Sequence, residues 1–293
     1  YDRIAKEGRP NNYGLGVAWT FARVVVLASD ASQPDGTLGW FQKAFSLSGW
    51  QNALPDEKQL DQIIDLVEGG LKEGALGVSI NAGYAPGMGR KEYYRLAELA
   101  AKHKVSTYTH DRYMSVREPQ SSFEALGEQI GLAAITGANM HICHINSVAG
   151  RDLEAATRLV KEAQAKGIRV TVESYPYGAF STAVGAEFMR GPDWLERLGA
   201  KEYSGMELQG KPLDKAKIEE LQKSSPGQAI VFHFLREDEN PDDMKLLDLA
   251  VLYPGGAIAS DAMPWMDAKG TILTGDLWPL PEDAYAHPRS SGC

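Results

Sequence analysis

The chain has 293 residues, and 30 Lys+Arg against 39 Asp+Glu leave a net charge of -9. That balance excludes a protein built to track a nucleic-acid backbone, which needs clustered positive charge. With 24% charged and 43% apolar residues the chain fits an ordinary globular protein, not a disordered one. Two cysteines, Cys143 and Cys293, cannot make a disulfide framework, so a reducing, cytoplasmic setting is the expectation. No apolar run approaches the roughly 18–20 residues of a membrane helix, so no membrane partner is expected. The start at Tyr1, with no initiator Met and no signal-like segment, points to a piece of a longer protein.

In chain order, residues 23–28 form a continuous β-branched run and predict a first strand covered on both faces. Residues 55–74 carry Leu60, Ile63, Ile64, Val67 and Leu71 at helical spacing, acidic residues early and Gly74 at the stop. Strands are predicted at 75–80, 105–110, 139–144 and 169–177, and helices at 90–104, 122–135 and 151–166, the last closed by Gly167. Strand starts about 30–34 residues apart suit one strand, one helix and two short loops, hence parallel pairing with right-handed crossovers. After residue 177 the period breaks. Residues 183–240 read as an insertion with a helix near 213–223 and a strand near 229–235. A helix at 241–252 then precedes a last strand at 256–260. The organisation expected is α/β: about six core strands, five in 1–182 and the last in 241–293, two short of a (β/α)8 barrel and hence an incomplete one. A doubly wound open sheet has the same alternation and is the competing topology.

Reactive residues in such folds sit where strands end. Here the endings read His110-Asp111-Arg112, His141-Ile142-Cys143-His144, Glu173-Ser174-Tyr175-Pro176-Tyr177 and Ser260-Asp261. Two imidazoles and a carboxylate at neighbouring strand ends would converge on one axis and suit a hydrolytic Zn²⁺. His141 and His144 lie on opposite faces by strand parity, and the terminal His144 is the one expected at the site. Cys143, pointing away from His144, is expected to pack as a small hydrophobe. His103 reads as a helix-end cation and His233 as core, while His287 is left between lining a site and fixing a turn. There is no nucleophile elbow, phosphate loop, H-E-x-x-H or C-x-x-C, and no strand-end Lys for a Schiff-base aldolase.

The chain resembles the D-aminoacylase branch of the amidohydrolase superfamily, whose members are metal-dependent (β/α)8 hydrolases acting on N-acyl-D-amino acids. The motifs run from Gly74-Ala75-Leu76-Gly77-Val78-Ser79, with Tyr84 and Pro86 beyond, to His287-Pro288-Arg289. Thr109-His110-Asp111-Arg112 resembles the T-H-x-R whose His binds metal, and Ile142-Cys143-His144 resembles the I-S-H whose His does the same. Tyr175-Pro176-Tyr177 with Ser181-Thr182 is similar to the Y-P-Y…S-T in which the Tyr and Ser hold the substrate carboxylate. Ser260-Asp261 matches the S-D whose Asp is acid/base and metal contact. The segments around His110 and His144 are closest to the D-glutamate deacylase subgroup. The family's first-strand H-x-H and second-strand Cys have no counterpart here, so the resemblance implies a barrel truncated at its start. Its Lys two residues after the second metal His is Asn146.

The resemblance therefore implies one or two Zn²⁺ held by His110, His144 and Asp261, with further ligands N-terminal to this chain. It implies Asp261 as catalytic acid/base, and an N-acyl amino acid, such as N-acyl-D-glutamate, oriented by Tyr175 and Ser181. Arg112 is a further candidate for pairing a carboxylate, and Asn146 stands at the family's Lys position. The alternatives are hydrolysis of another C–N bond, such as a cyclic amide, and a catalytically incompetent binding barrel.

Overall fold

The computed structural model describes residues 6, 12–47, 49–263, 265, 267, 273 and 279–284; His287 and Cys293 lie outside these. A short strand β1 (Val17–Ala18) leads into α1 (Trp19–Leu27), then α2 (Leu38–Ala44) and α3 (Glu57–Lys72). The repeating part follows: β2 (Gly77–Asn81), α4 (Arg90–His103), β3 (Ser106–His110), α5 (Ser122–Thr136), β4 (Asn139–Ile142), the short α6 (Ile145–Ala149), α7 (Leu153–Ala165) and β5 (Val170–Ser174). Next come β6 (Ala179–Ala183), the single turn α8 (Trp194–Arg197), β7 (Met206–Leu208), β8 (Lys211–Pro212), α9 (Lys215–Ser224) and β9 (Ala229–His233). α10 (Pro241–Val251) and β10 (Ala257–Ile258) complete the described elements.

Local chemistry accounts for the helix limits. Asp56 and Gln59 form a reciprocal capping box at the start of α3, with Gln59 N donating to Asp56 at 2.8 Å and Asp56 N donating to Gln59 at 3.0 Å. The five apolar residues at helical spacing are the buried stripe of α3. α5 starts on a Ser121 cap and stops at Gly137, whose φ of 70° admits the left-handed turn that ends a helix.

One sheet has the order β1-β2-β3-β4-β5-β10, with all neighbours parallel. Strand order follows chain order without reversing, so there is no topological switch point and the doubly wound alternative is excluded. The six strands form the arc of an incomplete barrel. Val78, Ile80, Met140, Ile142, Val170 and Val172 are buried against the helices. The opposite, inner face carries Ser79, Tyr108, His141, Thr171 and Glu173, which are half-buried or exposed.

The first predicted strand is a correction. Residues 23–28 lie in and just beyond helix α1, and the edge strand is Val17–Ala18. A short apolar run cannot by itself be told from a buried helix turn. What settles it is Glu92 of α4: helical spacing puts Trp19 and Arg23 on one face, where Trp19 Nε1 donates to Glu92 at 2.8 Å and Arg23 pairs with it at 2.6 Å. A second sheet, order β6-β9-β7-β8 and antiparallel throughout, has its own core of Phe180, Phe232, Phe234, Ile218 and Leu221. It starts at Ala179, ahead of the expected insertion start at 183, so Ser181 belongs to this sheet and not to the parallel one.

Candidate active site

His110 ends β3, His144 follows β4, Tyr175 follows β5 and Asp261 lies beyond β10. All four line one cavity of about 200 Å³, closed from the other side by Phe180, Ser181 and Thr182 of β6. Its apolar wall is Phe41 of α2, Phe45 and Phe188, with Tyr84 meeting the His110 ring edge-on at 4.9 Å.

Strand parity alone does not deliver His144 to this cavity. Its backbone is left-handed, with φ 36°, and that twist after β4 swings the side chain toward His110, ring centroids 4.9 Å apart at 88°. Ser147 Oγ then lies 3.0 Å from His144 Nδ1 and donates to its carbonyl at 3.1 Å. Burial, reinforced by the neighbouring His144, lowers the His110 pKa to about 3; the Asp111 carbonyl and Asp261 oppose this without prevailing. His110 is therefore neutral at pH 7. Its Nδ1 lies 3.2 Å from the Asp111 carbonyl, which can only accept, so the ring proton sits on Nδ1 and the Nε2 lone pair is free for a ligand role.

The same twist corrects the expectation for Cys143. Cys143 and His141 share the inner face with Glu173, and the three offer ligand atoms within 4.8 Å of one another. Among the described residues this is the one group of three or more His, Cys, Asp or Glu that does so. His110, His144 and Asp261 thus face one cavity without closing into a full ligand set. The donors still suit Zn²⁺: a neutral imidazole with its lone pair free, a second imidazole against it, and a carboxylate whose field reaches the first.

Two sequence candidates turn out to hold the fold. Arg112 is buried, with Nε and Nη2 both 2.9 Å from the Glu128 carboxylate and Nη1 on the Pro86 and Met88 carbonyls. Every arm of its guanidinium is engaged away from the cavity, so it is not a carboxylate clamp there. Asn146 is fully buried, donates to the Tyr175 carbonyl at 3.0 Å and the Tyr177 carbonyl at 3.2 Å, and accepts from Tyr175 N at 3.4 Å. It fixes the turn that presents Tyr175, and does not itself line the cavity. Tyr175 stacks on Tyr177 at 4.5 Å, and Ser181 Oγ is buried with no hydrogen-bond partner. His233 closes β9 near Glu207, at 3.8 Å, and His103 closes α4 on Glu68, at 3.0 Å; both stand apart from the cavity.

Phe41, Phe45 and Phe188 are not evident from sequence, because they reach the cavity from loops and short helices that carry no motif; Ser147 lies in the segment around His144 that carries the resemblance, with no role of its own there. Tyr84 and Thr182 fell within recognised segments, and the structure joins them by a 3.2 Å hydrogen bond. No helix among the described residues is long and apolar enough to cross a membrane.

No family model matches the chain, and neither does any curated protein. Among solved structures it is similar to an N-acyl-D-glutamate deacylase from Bordetella bronchiseptica, complexed with zinc and a phosphonate mimic of the tetrahedral intermediate. That match has 18% identity and a TM-score of 0.54, over 72% of this chain and 44% of that one. A D-aminoacylase matches at 14% identity and TM-score 0.56, covering 86% of this chain and 65% of its own. A D-aminoacylase studied for its binuclear metal centre matches at 16% and 0.52, covering 84% and 59%. The chain thus spans between 44% and 65% of the length of these structures. At such identities the likeness is one of fold, an α/β barrel that is incomplete here.

Proposed function

We propose that this chain carries the acid/base and substrate-facing side of a metal-dependent hydrolase cleaving the amide bond of N-acyl-D-amino acids, N-acyl-D-glutamate among them. One observation carries this reading: His110, His144, Tyr175 and Asp261, at the ends of four adjacent parallel strands, meet Ser181 of a second sheet in one cavity. The solved deacylase and D-aminoacylases of the same fold support it.

His110 and His144 are the residues that would hold Zn²⁺, which when bound acidifies water and polarises an amide carbonyl. His110 keeps its proton on Nδ1 and so offers Nε2 without competition from protonation at neutral pH. Asp261 takes the proton of the attacking water and returns it to the departing amine nitrogen. Tyr175, held by Asn146 through its backbone, and Ser181 Oγ orient the amino-acid half. The aromatic wall receives the acyl group and limits water access.

The test is turnover of a panel of N-acetyl-D-amino acids, with cyclic imides alongside, by the zinc-loaded chain and its Asp261→Asn variant. The variant should lose about 10²–10⁴-fold in kcat, the range for a lost proton-transfer group, while keeping the zinc held by His110 and His144. Wild-type turnover in the variant would remove Asp261 from the mechanism. Hydrolysis of imides alone would move the substrate to the cyclic amides.

A further inference from the structure

Below the cavity, on the inner face of the sheet, lies a set of side chains that the proposed reaction does not use. We propose that His141, Cys143 and Glu173 form a second metal site, a nitrogen–sulfur–oxygen centre for a borderline divalent ion of the Zn²⁺ class. It does not depend on the hydrolase reading, since neither His110 nor His144 is among its donors.

The placement follows from the strands. His141 and Cys143 are two apart and face the same way, and Glu173 stands on the neighbouring β5, whose Thr171 is the register partner of His141. One ligand atom from each residue falls within 4.8 Å of the other two. Bonds of about 2.3 Å to sulfur and 2.0–2.2 Å to nitrogen or oxygen put tetrahedral donors roughly 3.3–3.7 Å apart. The existing separations therefore close by side-chain adjustment without moving the strands.

The donors' surroundings match those of metal ligands. His141 Nδ1 is 2.8 Å from the Thr171 hydroxyl and its ring packs edge-on to Tyr108 at 5.4 Å, so the imidazole is held at its far side with Nε2 turned to Glu173, at 3.1 Å. An outer hydrogen bond of this kind sets the ligand's orientation. The Cys143 thiol hydrogen-bonds the same Glu173 carboxylate that His141 meets, so all three side chains converge on one point. Thiolate, imidazole and carboxylate together favour Zn²⁺ or Co²⁺ and disfavour Mg²⁺ and Ca²⁺, which want oxygen alone. The Glu173 side chain is 24% exposed and that of His141 12%, which leaves an entry path and a fourth position for water.

Cobalt reads the sulfur directly, because a thiolate bound to Co²⁺ gives a near-ultraviolet charge-transfer band and nitrogen and oxygen ligands do not. The metal-free 293-residue chain is titrated with Co²⁺. The band should grow to saturation at one thiolate-bound ion per chain, vanish in Cys143→Ser, and persist in Cys293→Ser and in the His110→Ala/His144→Ala double variant. Glu173→Gln should keep the band but need at least about tenfold more Co²⁺, while circular dichroism stays that of the wild type. Absence of the band in the wild type, its survival in Cys143→Ser, or unchanged affinity in Glu173→Gln would each overturn the site. Loss of the band in the double histidine variant would instead make this one centre with the cavity and end the claim of a second one.

Discussion

His110 and Asp111 are neighbours in sequence, both buried, and burial pushes them in opposite directions. The imidazole pKa is lowered to about 3 and the Asp111 carboxyl is raised well above the usual carboxylate range. Linkage gives each a sign. The depressed His110 contributes stability that is present above its ordinary pKa near 6.5 and is lost as pH falls toward 3. The raised Asp111 contributes stability present below about 3.8 and lost as pH rises. In the metal-free chain, lowering pH from 7 to 5 should therefore cost about 2 kcal/mol through His110 alone. His110→Asn, which does not titrate, should flatten that part of the profile in urea unfolding; an unchanged slope would show that His110 is not held neutral by burial. At this scale the sequence showed which residues meet in the cavity better than which ones hold them there. His110, His144 and Asp261 stand at strand ends, and that position is legible from period and pattern. The roles of Arg112 and Asn146 depend on Glu128 and on the Tyr175 and Tyr177 carbonyls, partners that no local motif announces. The facing of Cys143 is not readable from strand parity counted back from His144, because the left-handed backbone of His144 breaks the alternation.

The elements with a clear period were predictable: α3, α4, α5 and α7 fall where apolar spacing and a closing Gly or left-handed residue place them. α1 was not, because its six-residue apolar run satisfies a strand as well as a helix and its deciding partner lies on α4. That partnership is expensive to disturb. Arg23 and Glu92 are 0% and 1% exposed at 2.6 Å, and Arg23 also donates from Nε to the Trp50 carbonyl at 2.6 Å and from Nη2 to that of Ala53. Glu92→Gln keeps the shape and most hydrogen-bonding positions but leaves the guanidinium charge buried without its counter-ion, a loss of about 3–5 kcal/mol. Chemical denaturation should show a midpoint shift with an unchanged m-value. A shift below about 1 kcal/mol would mean that water reaches Arg23 and the helix is held by its apolar face alone.

Over the whole molecule, the cavity divides its labour between two sheets. The parallel sheet supplies His110, His144 and Asp261, which in the proposed reaction meet the reacting atoms, and Tyr175 just past β5. The antiparallel sheet supplies Ser181 from β6, which in the proposed reaction touches only the part of the substrate that does not react. An interaction made equally in the ground state and the transition state changes KM and leaves kcat alone. Ser181→Ala should thus raise KM about tenfold, the worth of one hydrogen bond to a charged group at the low end of its range, with kcat within about twofold. Stability adds an independent check. Ser181 Oγ is buried and has no partner, so removing it costs the fold no hydrogen bond, and the melting temperature should hold or rise. A fall in kcat with KM unchanged would place Ser181 at the reacting centre. A lowered melting temperature with normal kinetics would make the hydroxyl part of the packing between the two sheets, leaving Tyr175 alone to orient the amino-acid half.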